Sequence, residues 1–174
     1  MRKHPRIAIV TVSDRVTRGE YEDLGGPAVR AALERAIAAP WDPVQVTVPD
    51  DIDEICAALI ALADRDGCAL IVTTGGTGPA ERDVTPEATR VVCARELPGL
   101  GEAMRAASVP GVPTAMLSRQ TAGIRGRSLI VNVPGSPHGA VECLEVVLPA
   151  VVHCVALVGG GRLELSGGGG HPHD

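Results

Sequence analysis

Residues 73 to 86, Thr-Thr-Gly-Gly-Thr-Gly-Pro-Ala-Glu-Arg-Asp-Val-Thr-Pro, set a glycine-rich turn between an apolar run and a helix start, with the carboxylate of Asp83 close behind. Gly75, Gly76 and Gly78 let the backbone take positive φ and bring amide N–H groups against a phosphate or carboxylate with no Cβ in the way. That layout suits an anion-binding loop, flanked by Thr74 and Thr77, with a metal-binding or acid-base group beside it. A plain tight turn between strand and helix is the simpler use of the same residues. The two common nucleotide loops do not apply. A Walker A loop needs a lysine after its last glycine, and a dinucleotide fingerprint needs a glycine where Glu81 stands.

Three aspartates sit at comparable places. Asp14 follows the apolar run Ile7 to Val12, Asp50 follows the alternating Val44, Val46 and Val48, and Asp83 follows Cys68 to Val72. Each has a simpler use: Asp50 or Asp51 as a helix cap, Asp14 in a turn, Asp83 as a cap. Together they would repel a polyphosphate unless a divalent cation lay between, and Mg²⁺ bridges carboxylates and phosphates in this way. A second turn, Asn132-Val133-Pro134-Gly135-Ser136-Pro137, ends at another helix start.

The elements that must position these groups alternate in type. Strands are expected at Ile7 to Val12, Val44 to Val48, Cys68 to Thr74 and Ser128 to Val133. Val44 to Val48 alternates with polar residues and reads as a strand nearer an edge. Helices are expected from Gly26-Pro27 to Ala38, from Asp51 to Asp64 with Asp51 and Glu54 at capping-box spacing, and from about Pro86 to Arg95 with Thr85 as its N-cap. Further helices are a short piece from Gly101 to Ser108 and a closing one from Pro137 to Val158 that Pro149 kinks or divides. Val109 to Gly126 reads as a long irregular stretch. The order predicts an α/β fold in three layers, a mostly parallel sheet with helices on both faces in a single domain. Ligands of such sheets settle at the carboxyl ends of the strands, so all three aspartates and both turns should meet at one rim.

Composition narrows the partners. The 174 residues make one domain, residues 1–162, followed by a flexible Gly/His-rich tail, residues 163–174. A formal charge of −5 without a basic run excludes nucleic acid and anionic membrane as partners. Tyr21 and Trp41 are the only aromatics, so an adenine or pterin ring should rest mostly on aliphatic and backbone surface. Five cysteines without a C-x-x-C pair read as reduced residues of a cytoplasmic protein. No segment reads as a membrane span. His138 and His153 read as surface or packed residues, Arg125 as a candidate for phosphate contact, Arg127 rather as the lead into the next strand, and His171 and His173 as too mobile for a selective metal site.

With these pieces in place, about residues 6 to 158 resemble the molybdopterin adenylyltransferases of the MogA/MoaB type, which include the G domains of gephyrin-like proteins. The matching segments are Val12-Ser13-Asp14-Arg15, Val48-Pro49-Asp50, Thr74-Gly75-Gly76-Thr77-Gly78 with Arg82-Asp83-Val84-Thr85-Pro86, Met116-Leu117-Ser118-Arg119 with Ala122 to Gly126, and Pro134-Gly135-Ser136-Pro137. The resemblance implies a cytoplasmic homotrimer that transfers AMP from ATP to the terminal phosphate of molybdopterin, with Mg²⁺ as cofactor and pyrophosphate as product. It also allows a molybdenum-insertion partner protein. By similarity, Asp50 and Asp83 are the catalytic and metal-holding carboxylates. Ser13, Asp14, Gly75 to Gly78 with Thr74 and Thr85, and Pro134 to Ser136 line the nucleotide and substrate site. Ser108, Ser118 and Arg119 match positions that take the pterin and its phosphate. Two other readings share the domain: a molybdopterin-binding homologue without catalysis, and a nucleotide hydrolase of the competence-damage type.

Overall fold

Apolar runs with few breaks become adjacent parallel strands because both of their faces can be covered by helices. A computed structural model describes residues 4–167. In chain order it contains β1 (Arg6–Val12), α1 (Asp14–Thr17), α2 (Gly25–Ala36), β2 (Asp42–Val48), α3 (Ile52–Ile60), which runs on into a π-helical turn at Ala61–Arg65, β3 (Cys68–Thr74) and α4 (Thr85–Val92). Then come β4 (Arg95–Glu96), α5 (Pro98–Ser108), a 3₁₀ turn at Pro113–Leu117, β5 (Ala122–Arg125), β6 (Ser128–Val133) and α6 (Pro137–Leu157). The strands lie in the order β2-β1-β3-β6-β5-β4. The first four are parallel, and β5 and β4 are antiparallel to their neighbours.

Alternation along the strands feeds two cores. Ile7 and Ile9 of β1 point with Leu70, Val72, Leu129 and Val131 toward α2, α5 and α6, against Val29, Leu33, Met104, Leu144 and Val151. Ala8 and Val10 face the other way with Ile71 and Ile130, against Ile55, Leu59 and Ala88 of α3 and α4. The three-layer α/β expectation holds. The alternating β2 is the outer strand next to β1, exposed along much of its length, as its pattern implies. Asp51 caps α3 by accepting the N–H groups of Asp53 and Glu54.

Several expectations are corrected. The stretch Val109 to Gly126 is not all irregular: it contains the 3₁₀ turn and β5, which pairs with β6. Arg95, placed at a helix end, begins the two-residue β4. Thr85 does not cap α4 with its hydroxyl, which donates instead to the Gly75 carbonyl at 3.0 Å. The closing helix is found as expected, α6 running through Pro149 to Leu157. By length and composition α6 is the one helix among the described residues able to cross a membrane, contrary to the sequence reading. Its face of Ala140, Cys143, Leu144, Val147, Leu148, Val151 and Val155 is packed in the core, the pattern of a central helix. The packed structure also passes residue 162. Leu163 is buried, Leu165 bridges to Ile37, and Ser166 donates its N–H to the Ala36 carbonyl. His171 and His173 lie outside the described residues.

Candidate active site

Strand order fixes where a ligand can enter. The chain leaves β1 for β2 on one side and returns past β1 to β3 on the other, so the carboxyl ends of β1 and β3 open at the topological switch point. A cavity of about 230 Å³ lies there, lined by Val12 and Ser13, Thr74 and Gly75, and Gly135, with Tyr21 to Gly25 along its outer wall. Beside it a cavity of about 460 Å³ is lined by Gly76, Thr77, Gly78, Asp83, Ser118 and Pro134. A third, of about 220 Å³, lies between the end of α5 and the start of α6, and its lining includes Ser108, Ser118, Ser136, His138 and Glu142. Neighbouring cavities share lining residues: Gly135 joins the first two, and Thr114, Ser118 and Pro134 join the second to the third. The result is one groove along the carboxyl rim.

The floor of this groove is backbone. Gly75 and Gly76 have φ of +103° and +64°, which turns the chain sharply after β3. Among the described residues, the N–H groups of Gly76, Thr77, Gly78, Gly135 and Ser136 have no protein acceptor. Ser136 is the N-cap of the long helix α6 and makes no side-chain cap there, so the amide end of α6 also faces the groove. Free amides and a helix amino terminus attract anions.

The two turns are fastened together and to the sheet. Thr74 donates its hydroxyl to the Pro134 carbonyl at 2.8 Å, and Gly75 donates its N–H to the Val133 carbonyl at 3.3 Å. Arg119 braces the glycine loop from outside: its Nε donates to the Gly78 carbonyl at 2.9 Å, and its two terminal nitrogens donate to the Asp83 carbonyl and to Glu87. Burial pushes the Glu87 carboxyl up, but the Arg119 hydrogen bond, a backbone hydrogen bond at Glu87 itself and the Arg119 and Arg90 charges together outweigh it and hold the group below its ordinary value of 4.5. One Glu87 oxygen remains buried without a partner. Arg125 is held by Asp64 and by the Val92 carbonyl rather than facing the groove.

The carboxylates do not all converge as the sequence suggested. Asp14 and Asp50 end adjacent parallel strands and clasp one another: Asp14 donates its N–H to Asp50 Oδ2 at 2.9 Å, and Asp50 donates its N–H to Asp14 Oδ1 at 3.0 Å. Asp83 belongs to the second cavity, where its Oδ2 accepts the Ala80 N–H at 3.1 Å. Among the described residues no three His, Cys, Asp or Glu side chains group closely enough to hold a metal ion by themselves. The donors are nevertheless hard carboxylate oxygens, each of the three aspartates keeping one oxygen outside these bonds. Such a set fits Mg²⁺, which takes one or two carboxylates and completes its shell with substrate phosphate and water.

Of the residues singled out in the sequence, Ser13, Thr74, Gly75, Gly76, Thr77, Gly78, Asp83, Ser108, Ser118, Pro134, Gly135 and Ser136 all line the groove. Asp14, Asp50, Thr85 and Arg119 are not in the linings of these three cavities: Thr85 and Arg119 brace the glycine loop, and Asp14 and Asp50 bond to one another at the ends of β1 and β2 beside Ser13. Asp23 was missed. It accepts the Gly26 N–H at the start of α2 and the Thr11 hydroxyl at the end of β1, and so holds the outer wall of the crevice. Its signal was an aspartate three residues before Gly26-Pro27, the spacing of a helix cap. Tyr21, set aside with the other aromatic, was missed as well.

Residues 8–153 match the family described as "Probable molybdopterin binding domain". Over 160 residues the chain is 49% identical to the molybdopterin adenylyltransferase of Helicobacter pylori (strain J99), covering 92% of this chain and 91% of that protein. It is 44% identical over 171 residues to the enzyme of the same name from Escherichia coli K12, covering 91% and 88%. The crystal structure of the molybdopterin biosynthesis enzyme MoaB from Thermus thermophilus superposes with a TM-score of 0.83 at 48% identity, covering 91% of this chain and 99% of that one.

Proposed function

Given that the chain belongs to the molybdopterin-binding domain family, we propose that it is a molybdopterin adenylyltransferase of molybdenum cofactor biosynthesis, as its relatives are named. The reaction is transfer of AMP from ATP to the terminal phosphate of molybdopterin. An oxygen of that phosphate forms a bond to the α-phosphorus as the bond to the leaving pyrophosphate breaks. The attacking phosphate is already anionic at neutral pH, so no strong base is needed, and the protein's task is positioning and charge stabilisation.

The observation that carries this reading is the run of unpaired amides at Gly76, Thr77, Gly78, Gly135 and Ser136 along one groove. These groups offer donors to a phosphate chain, and the amino end of α6 adds a partial positive charge. Asp83 shapes the loop through the Ala80 N–H, while Asp50 is oriented by its clasp with Asp14. Asp50 and Asp83 are the residues assigned to hold Mg²⁺ together with substrate phosphates. The ion would supply neutralisation of the charge that builds on the phosphate oxygens. Ser108 and Ser118 line the end of the groove assigned to the pterin. Arg119 acts on that end through the loop it braces.

A cytoplasmic homotrimer completes the proposal. Exposed apolar side chains such as Val146 and Leu157 on α6 support association of copies of the chain, and the mass in solution tests it. Purified protein given Mg²⁺, ATP and molybdopterin is expected to release pyrophosphate and form the adenylylated pterin. Asp83→Asn is expected to reduce turnover by at least about a hundredfold with the fold intact by circular dichroism. Tight pterin binding by the wild-type chain with no product under those conditions would establish the non-catalytic homologue instead.

A further inference from the structure

The crevice at the carboxyl ends of β1 and β3 differs in character from the rest of the groove. Its two threonine hydroxyls and Asp23 are already engaged with the protein. Thr11 donates to Asp23, whose other oxygen takes the Gly26 N–H. Thr74 donates to the Pro134 carbonyl, and Ser13 accepts the Val16 N–H. What remains for a ligand is apolar surface from Val12, Val16 and Leu24 and the ring of Tyr21, which is 60% exposed. The charged groups on this wall, Glu22 and Asp23, are both carboxylates, so a triphosphate is repelled from it.

The far cavity, between α5 and α6, is the reverse. Among the described residues His138 has no hydrogen-bond partner, and Glu142 takes only a long 3.4 Å bond from Ser108. Groups of that kind suit a heterocycle rich in donors and acceptors, which is what a pterin presents.

We propose that Tyr21 is the stacking platform for the adenine base of ATP, which lies in the crevice with its phosphates running over Gly76 to Gly78. This rests on the adenylyl-transfer reading for the identity of the nucleotide. The segment carrying the ring is held before it by the Glu20 N–H bond to the Arg15 carbonyl and after it by the two bonds of Asp23, which leaves the exposed ring on the crevice wall for a flat base. Stacking would let the crevice hold a base although its threonine hydroxyls are committed within the protein.

The test is calorimetric titration of the full chain with Mg²⁺-ATP, adenosine and pyrophosphate. Tyr21→Ala is expected to weaken ATP and adenosine about tenfold, the scale of one base-aromatic stack, and to leave pyrophosphate unchanged. Tyr21→Phe should match the wild type. In turnover the alanine variant should raise KM for ATP and keep kcat. Unchanged ATP affinity in Tyr21→Ala overturns the proposal. So does equal weakening of pyrophosphate, which places the effect in the loop, or a loss in Tyr21→Phe as large as in the alanine variant. Wild-type protein that binds ATP but forms no product refutes the transfer reaction, and the stacking assignment is then decided by the same titrations. Wild-type protein that does not bind ATP refutes both.

Discussion

The segment after β3 and the segment after β1 border the same crevice, but they are fastened in different ways. Residues 75–85 are tied to β6 through Gly75, to themselves through the Thr85 hydroxyl, and to Arg119 through the Gly78 and Asp83 carbonyls. Residues 18–24 are held by the N–H groups of Arg18, Gly19 and Glu20, which donate to the Asp14, Val16 and Arg15 carbonyls, and at Asp23 by two side-chain bonds, with Tyr21, Glu22 and Leu24 exposed between and beyond. A loop whose amides must meet phosphate oxygens gains from being fixed in advance, since donors that need no rearrangement stabilise charge best. A wall that receives a flat ring needs only a surface that can settle against it.

Substitutions can break that contrast. The largest effect is expected at Gly75, where φ is +103° and an added Cβ would lie 2.3 Å from the Val12 carbonyl oxygen. Gly75→Ala should cost about 3 kcal/mol or more in urea denaturation, since backbone strain and overlap act together. On the other wall, Asp23→Ala removes the acceptor of the Gly26 N–H in the first turn of α2 and the link to Thr11, and should cost about 1 kcal/mol. Melting that is equally damaged by both changes would mean that the two segments are equally fixed.

The smallest effect sharpens the comparison by pH. Glu87 has its carboxyl held below 4.5 in the folded protein, so its contribution is fully present above that value and is lost as pH falls through the lower folded value. The pair with Arg119 is part-exposed, which limits the effect to a few tenths of a kcal/mol after solvent screening. Amide exchange, corrected for its intrinsic pH dependence, should show the bonded Ala80, Asp83 and Thr85 N–H groups losing protection as pH falls below 4.5, while β1 keeps its own. Unchanged protection in the loop would show that the Gly78 and Asp83 carbonyl bonds of Arg119 suffice without Glu87.

The sequence made the central sheet legible because β1, β3 and β6 are short apolar runs closed by turn residues, and because β2 alternates. Asp51 was readable as a cap for the same local reason. The missed pieces depend on partners far along the chain. β5 is four residues containing a glycine and becomes a strand only by pairing with β6. Thr85 looked like a cap, yet the loop folds back and presents the Gly75 carbonyl to its hydroxyl. Asp14 and Asp50 were correctly placed at one rim, but nothing local predicts that they would bind each other's backbone. Tyr21 was discounted by composition, since a count of rings cannot tell where one of them stands. Leu163 and Leu165 were lost among glycines, although both find apolar neighbours in the fold.

That last clasp has a consequence for how the chain can be joined to other proteins. Leu165 meets Ile37 just before β2, and Arg6 opens β1, so both places lie at the amino edge of the parallel strands. The groove lies at the opposite edge. A passenger domain spliced onto either end of this unit, or a tether fixing it to a surface, would therefore hang behind the sheet and leave the mouth of the groove open to small molecules.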